Sequence, residues 1–584
     1  MKKLLALALV AVMLLGVAAC APTKEITKVN APTLTYLYNT SDGHKAIGEY
    51  LQSALASAGI TMTLENQEWN TFLNTRKNGD YFVARNGWLA DYNDPICFLD
   101  MWTSNSGNND VQFGKGEHAN LKMYNLDLTP YGGENIKNGT WAETYDVLIA
   151  KIKATTDTNA RYAMMHLAED MLMDTGCIVP LYYYTDLYMI DDSVTGFFSN
   201  PLGYKYLMYT KVNGATDSIN VCLASEPDTL DPALNSAVDG ATMVAHLFSG
   251  LAKWAQDANG NLVIVADAAK ELVEGVANED GTVTYTYTLK EGMKWSNGDA
   301  VKASDFVNAW KRAASAELGA DYGYMFEVVK GYEEDNLAVE ADDAAGTITV
   351  TLANAVAYWN ELLAFPTYYP VHPSALTNEN WATSPATYIC NGAYTMTSWT
   401  HDSVITLTKN PNYHGAADVT MNVINCYLSD DSNNMLANFK KGDWLLIDDV
   451  PTAEIATLKT QYPTEFVIAG QIGTYYVCWN VNKDLLPGTN LTGVEKEKAQ
   501  QEIRKALGLL YDRNYICEKI GQAGQVPAAS FVAMGMTDAD GKEFYKNANN
   551  GAGGYYDVSE EAYAANCQKA VEVLTKYYNL TIAQ

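Results

Sequence analysis

The sequence predicts an α/β fold on three observations. Strand-like and helix-like periodicities alternate from residue 34 to residue 84. The same texture restarts after Asn213. Hydrophobic residues make up 48% and charged residues 18% of the 584-residue chain, which is enough apolar material for large packed cores and too little charge for disorder. At about 150 residues per domain, the length corresponds to roughly three to five domains or lobes.

Met1-Lys2-Lys3 and the apolar run Leu4 to Ala21 read as a secretory signal, because the run is short for a membrane span and ends Ala-rich. Val17-Ala18-Ala19-Cys20 resembles a bacterial lipobox. On that reading residues 1–19 are a lipoprotein signal peptide and Cys20 is the lipidated first residue of the mature protein. The alternative is an ordinary signal with a chance Cys. Residues 20–30 form a tether, and the mature chain works outside the cytoplasm.

Leu34 to Tyr38 alternates as a strand and ends at the turn Asn39-Thr40-Ser41-Asp42-Gly43. Residues 44–58 have helical periodicity, capped by Gly59, and Ile60 to Asn66 is strand-like again. Residues 142–175 read as two helices and Ile178 to Thr185 as a buried strand. After Asn213, Ser218 to Ala224 reads as a strand, and a helix follows near 240–251. Thr282 to Leu289 and Thr347 to Leu352 alternate cleanly on either side of an amphipathic helix, Ala303 to Ala314. Val404 to Lys409, Met421 to Leu428 and Thr474 to Val481 are further strands; 494–512 and 559–577 are helices. Thr27-Lys28-Val29-Asn30 recurs as Thr210-Lys211-Val212-Asn213, at both edges of the first block.

A net charge of −30 and a pI near 4.5 argue against nucleic-acid binding, which needs a basic footprint. Cysteines other than Cys20 form no CxxC pair and read as small buried hydrophobes. The chain lacks HExxH, GxSxG and a phosphate loop; Phe113-Gly114-Lys115-Gly116 has the wrong spacing. Its seven His residues are scattered, so the sequence implies neither a metal site nor a cofactor. Asp257 to Gly260 and Asp538 to Gly541 read as hairpin turns, not calcium loops. A hydrolase using paired carboxylates stays open, since 69 acids allow many spatial pairs. The 39 Tyr against 14 Phe suit a protein that grips varied ligands.

The informative stretch is Arg85-Asn86-Gly87-Trp88-Leu89-Ala90-Asp91-Tyr92-Asn93-Asp94-Pro95. Asp91 follows an aromatic-glycine strand end and precedes a rigid turn. If buried, its carboxylate needs a cation, which a ligand ammonium can supply. A solvated loop Asp or a helix cap is the other reading of the same residues.

Several longer motifs carry a resemblance. Gly292 to Asp299 with Ser304-Asp305-Phe306, Ser225-Glu226-Pro227 with Leu230-Asp231-Pro232, Asn391 to Tyr394, and Lys409 to Tyr413 resemble the extracytoplasmic solute-binding proteins of ABC importers. Leu37 to Asp42, Asn66 to Trp69, Thr75-Arg76, Gly87 to Pro95 and Pro180 to Thr185 are similar to its oligopeptide-binding branch. The order departs from the family: segments like 217–584 come first there, and segments like 31–212 come last. This reads as a circular permutation, with Gln584 and Ala31 as cut ends and Asn213-Gly214 as the join.

The resemblance implies a bilobal periplasmic-binding-protein-like fold of the large type II class, with an extra lobe and hinge closure on ligand. Lobe I would comprise 217–264, 376–472 and 178–212. Lobe II would be 265–375, and lobe III would be 473–584 with 31–177. The resemblance further implies a lipid-anchored, monomeric receptor that captures oligopeptides and delivers them to the permease subunits, with no catalysis, cofactor, metal or nucleic acid. Asp91 would bind the peptide ammonium and Trp88 would line the cleft. Arg76 and Arg85 would meet the peptide carboxylate or acidic side chains. Gly473 to Asn480 would pair with the ligand backbone, so Thr474, Tyr475, Tyr476, Cys478 and Trp479 join the expected site. Dipeptides, a signalling peptide or a metal chelate are alternative cargoes.

Overall fold

The computed structural model describes residues 25–224, 226–332 and 334–581. The expected signal segment 1–19 and the expected lipidation residue Cys20 lie outside the described residues.

The α/β expectation is borne out. Eleven strands form one mixed sheet. Its order is Tyr394–Thr400, Val404–Lys409, Val423–Leu428, Ile219–Ala224, Leu446–Ile447, Ile178–Ile190, Phe466–Trp479, Val83–Leu89, Leu34–Asn39 and Met62–Gln67, with Val526–Pro527 added beside Ile178–Ile190. Two small parallel units lie within this sheet. Leu34–Asn39 lies parallel to both Met62–Gln67 and Val83–Leu89. Ile219–Ala224 lies parallel to both Val423–Leu428 and Leu446–Ile447. Parallel neighbours need crossovers, and helices supply them: Asp42–Ser57 joins Leu34–Asn39 to Met62–Gln67. Ser41 occupies the N-cap of that helix, and Gly59 (φ +77°) lets the chain turn sharply after it.

Two long strands join the two units. Phe466–Trp479 has 14 residues and Ile178–Ile190 has 13, and they run antiparallel. Phe466 to Gly470 pairs with residues 185–189, and Thr474 to Cys478 pairs with 178–183; between Gly470 and Thr474 the register breaks. The strand expected from Thr474 therefore begins eight residues earlier. Its alternation is hidden by Ala469, Gly470 and Gly473. Gly473 is needed there, because a Cβ would lie 2.3 Å from Leu89 Cδ2 and 2.8 Å from the Trp88 carbonyl oxygen. We keep the name lobe I for the body around Ile219–Ala224 and lobe III for the body around Leu34–Asn39.

A separate four-stranded antiparallel sheet, Val276–Ala277, Val283–Thr288, Thr347–Leu352 and Val339–Asp342, lies within the segment named lobe II. Period-two alternation puts Val283, Tyr287, Ile348, Val350 and Leu352 inward. They pack under helix Ala303–Ala314, whose first turn is tied by Asp305, which accepts from the Lys302 N–H (2.9 Å) and from Trp295 Nε1 (3.0 Å). The expected helix near 240–251 spans Val238–Leu247, because Phe248 leaves the helical conformation and Ser249 N donates instead to Asn391 Oδ1 (3.0 Å).

Seven of the eight cysteines among the described residues are buried and all eight are free thiols. Both acidic turns are turns: Asp257 Oδ1 accepts from the N–H groups of Asn259 and Asn261, and Asp538 N donates to the Lys542 carbonyl.

Candidate ligand-binding cleft

A cleft of about 520 Å³ opens where the two long strands pass between lobes I and III. Asp91, Trp88, Arg85 and Arg76 all line it.

Asp91 follows the C-terminal end of strand Val83–Leu89, and the turn behind it is clamped. Asp94 Oδ1 caps the 3-10 turn at Ile96 N (3.0 Å), and Arg161 grips the Asp94 carboxylate with both nitrogens (2.7 and 2.9 Å). The Tyr92 ring stacks on Tyr358 of lobe II at 4.3 Å, and Glu361 accepts from Asn93 N at 2.6 Å. The Asp91 residue is only 7% exposed. Its Oδ1 accepts from the Tyr322 hydroxyl (3.0 Å), while Oδ2 is buried with no partner. Burial pushes the pKa of this carboxyl well above the ordinary range; the Tyr322 hydrogen bond opposes the shift and Asp100 adds to it. Trp88 Nε1 donates to the Cys97 carbonyl (2.8 Å), which sets the indole 6.1 Å from the Tyr322 ring.

Arg85 is the charge complement. Its Nε donates to Asn39 Oδ1 (2.7 Å), and Nη2 lies 2.9 Å from His44 Nε2. Its guanidinium sits over the rings of Trp69, Phe72 and Tyr475 at 5.6, 5.3 and 5.8 Å. Burial, and then the Arg85 charge, hold His44 well below its usual pKa, so the imidazole is neutral and can accept. Among the described residues no carboxylate reaches salt-bridge distance of Arg85. Arg76, by contrast, is paired: Nε lies 2.8 Å from Asp110 Oδ2.

The five residues expected on the neighbouring strand do not line the cleft. Thr474, Tyr475, Tyr476, Cys478 and Trp479 are all buried. Tyr476 packs edge-on against Trp102 (6.1 Å) and Phe531 (5.1 Å), and Thr474 Oγ1 donates to the Phe531 carbonyl (2.8 Å). Tyr475 stacks on Tyr182 at 4.8 Å. Their backbone is also engaged, because this strand has Ile178–Ile190 on one edge and Val83–Leu89 on the other. No strand edge remains there for a ligand.

The free edge belongs to the next strand. Leu34–Asn39 pairs with Val83–Leu89 only at Tyr36↔Val83 and Leu37↔Ala84. On the other side pairing with Phe466–Trp479 is complete, and Ala90 N donates to the Ile472 carbonyl (2.8 Å). In an antiparallel ladder alternate residues turn their polar groups the same way. Ala90, Trp88 and Asn86 therefore face Phe466–Trp479. Arg85, Gly87 and Leu89 turn theirs toward the cleft, where Gly87 N is held by Asn86 Oδ1 (2.8 Å).

The far wall comes from lobe I: the loop Leu202 to Lys205, the start of helix Val238–Leu247, and Asp448 to Val450. Lys205 is pinned between Asp186 (3.1 Å) and Asp448 (2.7 Å). Tyr322, Asp239 and the edge at Gly87 and Leu89 are site features the sequence did not single out. The cue for Gly87 was present, a glycine amid the strand, but Tyr322 lies 231 residues from Asp91 and only the fold joins them.

Comparison with known proteins follows this geometry. The model of the family described as "Bacterial extracellular solute-binding proteins, family 5 Middle" matches residues 14–110 and 264–576. The chain is 32% identical over 354 residues to the oligopeptide-binding protein OppA of Bacillus subtilis, covering 57% of this chain and 60% of that protein. It is 29% identical over 325 residues to the periplasmic oligopeptide-binding protein OppA of Salmonella typhimurium, covering 53% and 55%. The chain thus spans 60% or less of the length of these two relatives. Among solved structures, Haemophilus influenzae OppA in complex with RPPGFSPFR superposes with a TM-score of 0.51 at 24% identity, over 62% of this chain and 66% of that one. The Escherichia coli murein tripeptide binding protein MppA gives 0.51 at 22% identity over the same shares. These two support the bilobal fold. The family model covers more than half of the sequence, and the chain belongs to the bacterial extracellular solute-binding proteins, family 5.

Proposed function

We propose that this protein captures oligopeptides in the cleft and delivers them to the permease of an ABC importer, held outside the cytoplasm at the cell membrane by a lipid on Cys20. One observation carries the reading. Asp91, a buried carboxylate without a cation, and Arg85, a buried guanidinium without a carboxylate, stand at opposite ends of one unpaired strand edge. An extended zwitterionic peptide is their complement. Its ammonium would neutralise Asp91, its backbone would pair antiparallel with Gly87 and Leu89, and its carboxylate would reach Arg85. Six residues of strand span about 20 Å, which an extended peptide of about six residues matches.

Backbone pairing grips any sequence, and bridging water can adapt such a cleft to varied side chains. Hinge closure would occur where the two long strands lose register, between Gly470 and Thr474. We also propose that the segment order is permuted. The join is a tight hairpin: Val212 and Ala215 exchange hydrogen bonds (2.9 Å each) around Asn213 (φ 51°) and Gly214 (φ 81°), the signature of a type I′ turn.

The test is titration calorimetry of residues 21–584 with a mixed peptide library, with bound species identified by native mass spectrometry. One intact peptide per chain is the expected result. Cleaved peptide would indicate a hydrolase, and binding indifferent to peptides would overturn the reading.

A further inference from the structure

The cleft carries more negative charge than a peptide's termini can use. Four carboxylates that line it have no ion pair among the described residues: Asp91, Asp239, Asp430 and Asp449. Of the cations lining it, Arg76, Lys77 and Lys205 are each paired with a carboxylate, and Arg85 alone is not. An ammonium on Asp91 and a carboxylate on Arg85 leave three acids uncompensated.

Asp239 is the most exacting of these. It lies in the first turn of helix Val238–Leu247. Both of its carboxylate oxygens are buried, and neither has a hydrogen-bond partner. Burial raises its pKa to about 6; the N–H groups of Gly240 and of Asp239 itself oppose the shift without making a hydrogen bond of proper geometry. Asp449, by comparison, accepts from Val450 N at 2.7 Å. A buried carboxylate left in this state is unfavourable unless something arrives to satisfy it. A metal ion does not fit, because no group of three or more His, Cys, Asp or Glu converges to hold one among the described residues. A single cationic group does.

Position narrows the ligand further. A Cβ on Gly203 would lie 3.1 Å from both Leu89 Cδ1 and Val238 Cγ1, so the start of this helix faces the Leu89 end of the open strand edge. Asp91 lies two residues beyond Leu89. The helix start thus lies beside Leu89, next to where the first residues of a peptide anchored at Asp91 would run. Resting on the peptide reading above, we propose that Asp239 is a specificity residue that receives the ammonium or guanidinium of a lysine or arginine side chain near the amino end of the bound peptide.

The experiment uses pentaalanine and its derivatives with lysine or norleucine at positions one to three, titrated calorimetrically into the wild type, Asp239→Asn and Asp239→Ser. Norleucine keeps the four-carbon chain of lysine and removes its ammonium. The wild type should prefer lysine over norleucine by about tenfold or more at one position. In Asp239→Asn that ratio should fall to about twofold or less. Asp239→Ser repeats the test if the Asn variant melts non-cooperatively. Equal affinity of the wild type for lysine and norleucine peptides would overturn the proposal while pentaalanine binding upheld the peptide reading. An unchanged lysine preference in both variants would overturn it as well. Failure of every peptide and of the mixed library to bind would overturn the peptide reading itself, and this proposal with it.

Discussion

The Tyr322 hydroxyl donates to Asp91 Oδ1 at 3.0 Å, across 231 residues of sequence. A carboxylate just beyond a strand end is thus oriented by a distant loop, and its second oxygen is left buried without a partner. The lobes are tied at other points too. Lys77 of lobe III meets Asp321 of lobe II and Ser236 of lobe I, and Lys153 meets Glu327 at 2.8 Å. The candidate site is therefore built by segments far apart in the chain rather than by one strand end.

Asp91 should take up its proton in the empty cleft and lose it on binding. Its folded pKa lies above the unfolded carboxyl value of about 3.9, so the native state binds more protons between the two values. Asp91 therefore lowers the stability of the empty protein as pH rises through that window, and a bound ammonium reverses the effect. Calorimetry in buffers of different ionisation enthalpy should show proton release on peptide binding, with affinity rising with pH and then levelling. Asp91→Asn should abolish the release and weaken binding by about 100-fold. Tyr322→Phe should cost about three- to tenfold. Equal proton release in wild type and Asp91→Asn would refute the assignment.

Arg85 should read the peptide's free carboxylate. Peptides of about six residues with a free C-terminus should bind the wild type more tightly than their C-terminal amides, by about tenfold. In Arg85→Gln that difference should vanish, because the amide loses nothing that the variant still offers. Competition binding with acid and amide pairs of one sequence measures it. A persistent preference for the acid in Arg85→Gln would move the carboxylate elsewhere in the cleft.

Tyr476 should matter to folding and not to affinity. It is fully buried in the aromatic core with Trp102 and Phe531. Tyr476→Ala should cost about 3–5 kcal/mol of stability by opening a cavity. Tyr476→Phe should be neutral or slightly stabilising, since the hydroxyl is buried without a partner. Peptide dissociation constants measured on the folded fraction should not change in either variant. A large loss of affinity in stably folded Tyr476→Phe would return this residue to the ligand site.

These outcomes separate what a local pattern can say from what sheet order decides. Gly87 to Pro95 is a contiguous motif, so Asp91, Trp88 and Arg85 were legible as a group, and all three line the cleft. Thr474 to Trp479 is equally aromatic, yet such a strand reads the same whether it is central or at an edge. Only the neighbours at Val83–Leu89 and Ile178–Ile190 show that both of its edges are taken. Tyr322 and Asp239 were not legible at all. A lone Tyr in a loop and an Asp in a helix first turn have ordinary local roles, and their approach to the cleft depends on contacts hundreds of residues apart.

The proposed permutation makes the last prediction. Thr581 packs against Gly59, whose Cβ would lie 2.9 Å from the Thr581 carbonyl oxygen, and Leu34 N donates to the nearby Thr61 carbonyl (3.0 Å). Val29 also sits beside the C-terminal segment, donating to the Tyr577 carbonyl and accepting from Asn579 N (2.9 Å each). Residues 581 and 34 therefore approach one strand's end, and a direct connection between them spans little distance. At the other edge, Gly214 has no atom within 4 Å of where a Cβ would stand, and the turn is held to its neighbour through Asn213 N, which donates to the Ser193 carbonyl (2.9 Å). Cutting there removes a hairpin connection and no core contact. A chain that opens at Gly214, runs to residue 584, continues at Ala31 and ends at Asn213 should melt cooperatively within a few degrees of the parent. Its peptide dissociation constants should agree within about threefold, because every cleft residue keeps its neighbours. Loss of the cooperative melt in the reconnected chain would show that the present order is required for folding, and the two edges would then not be the cut and the join.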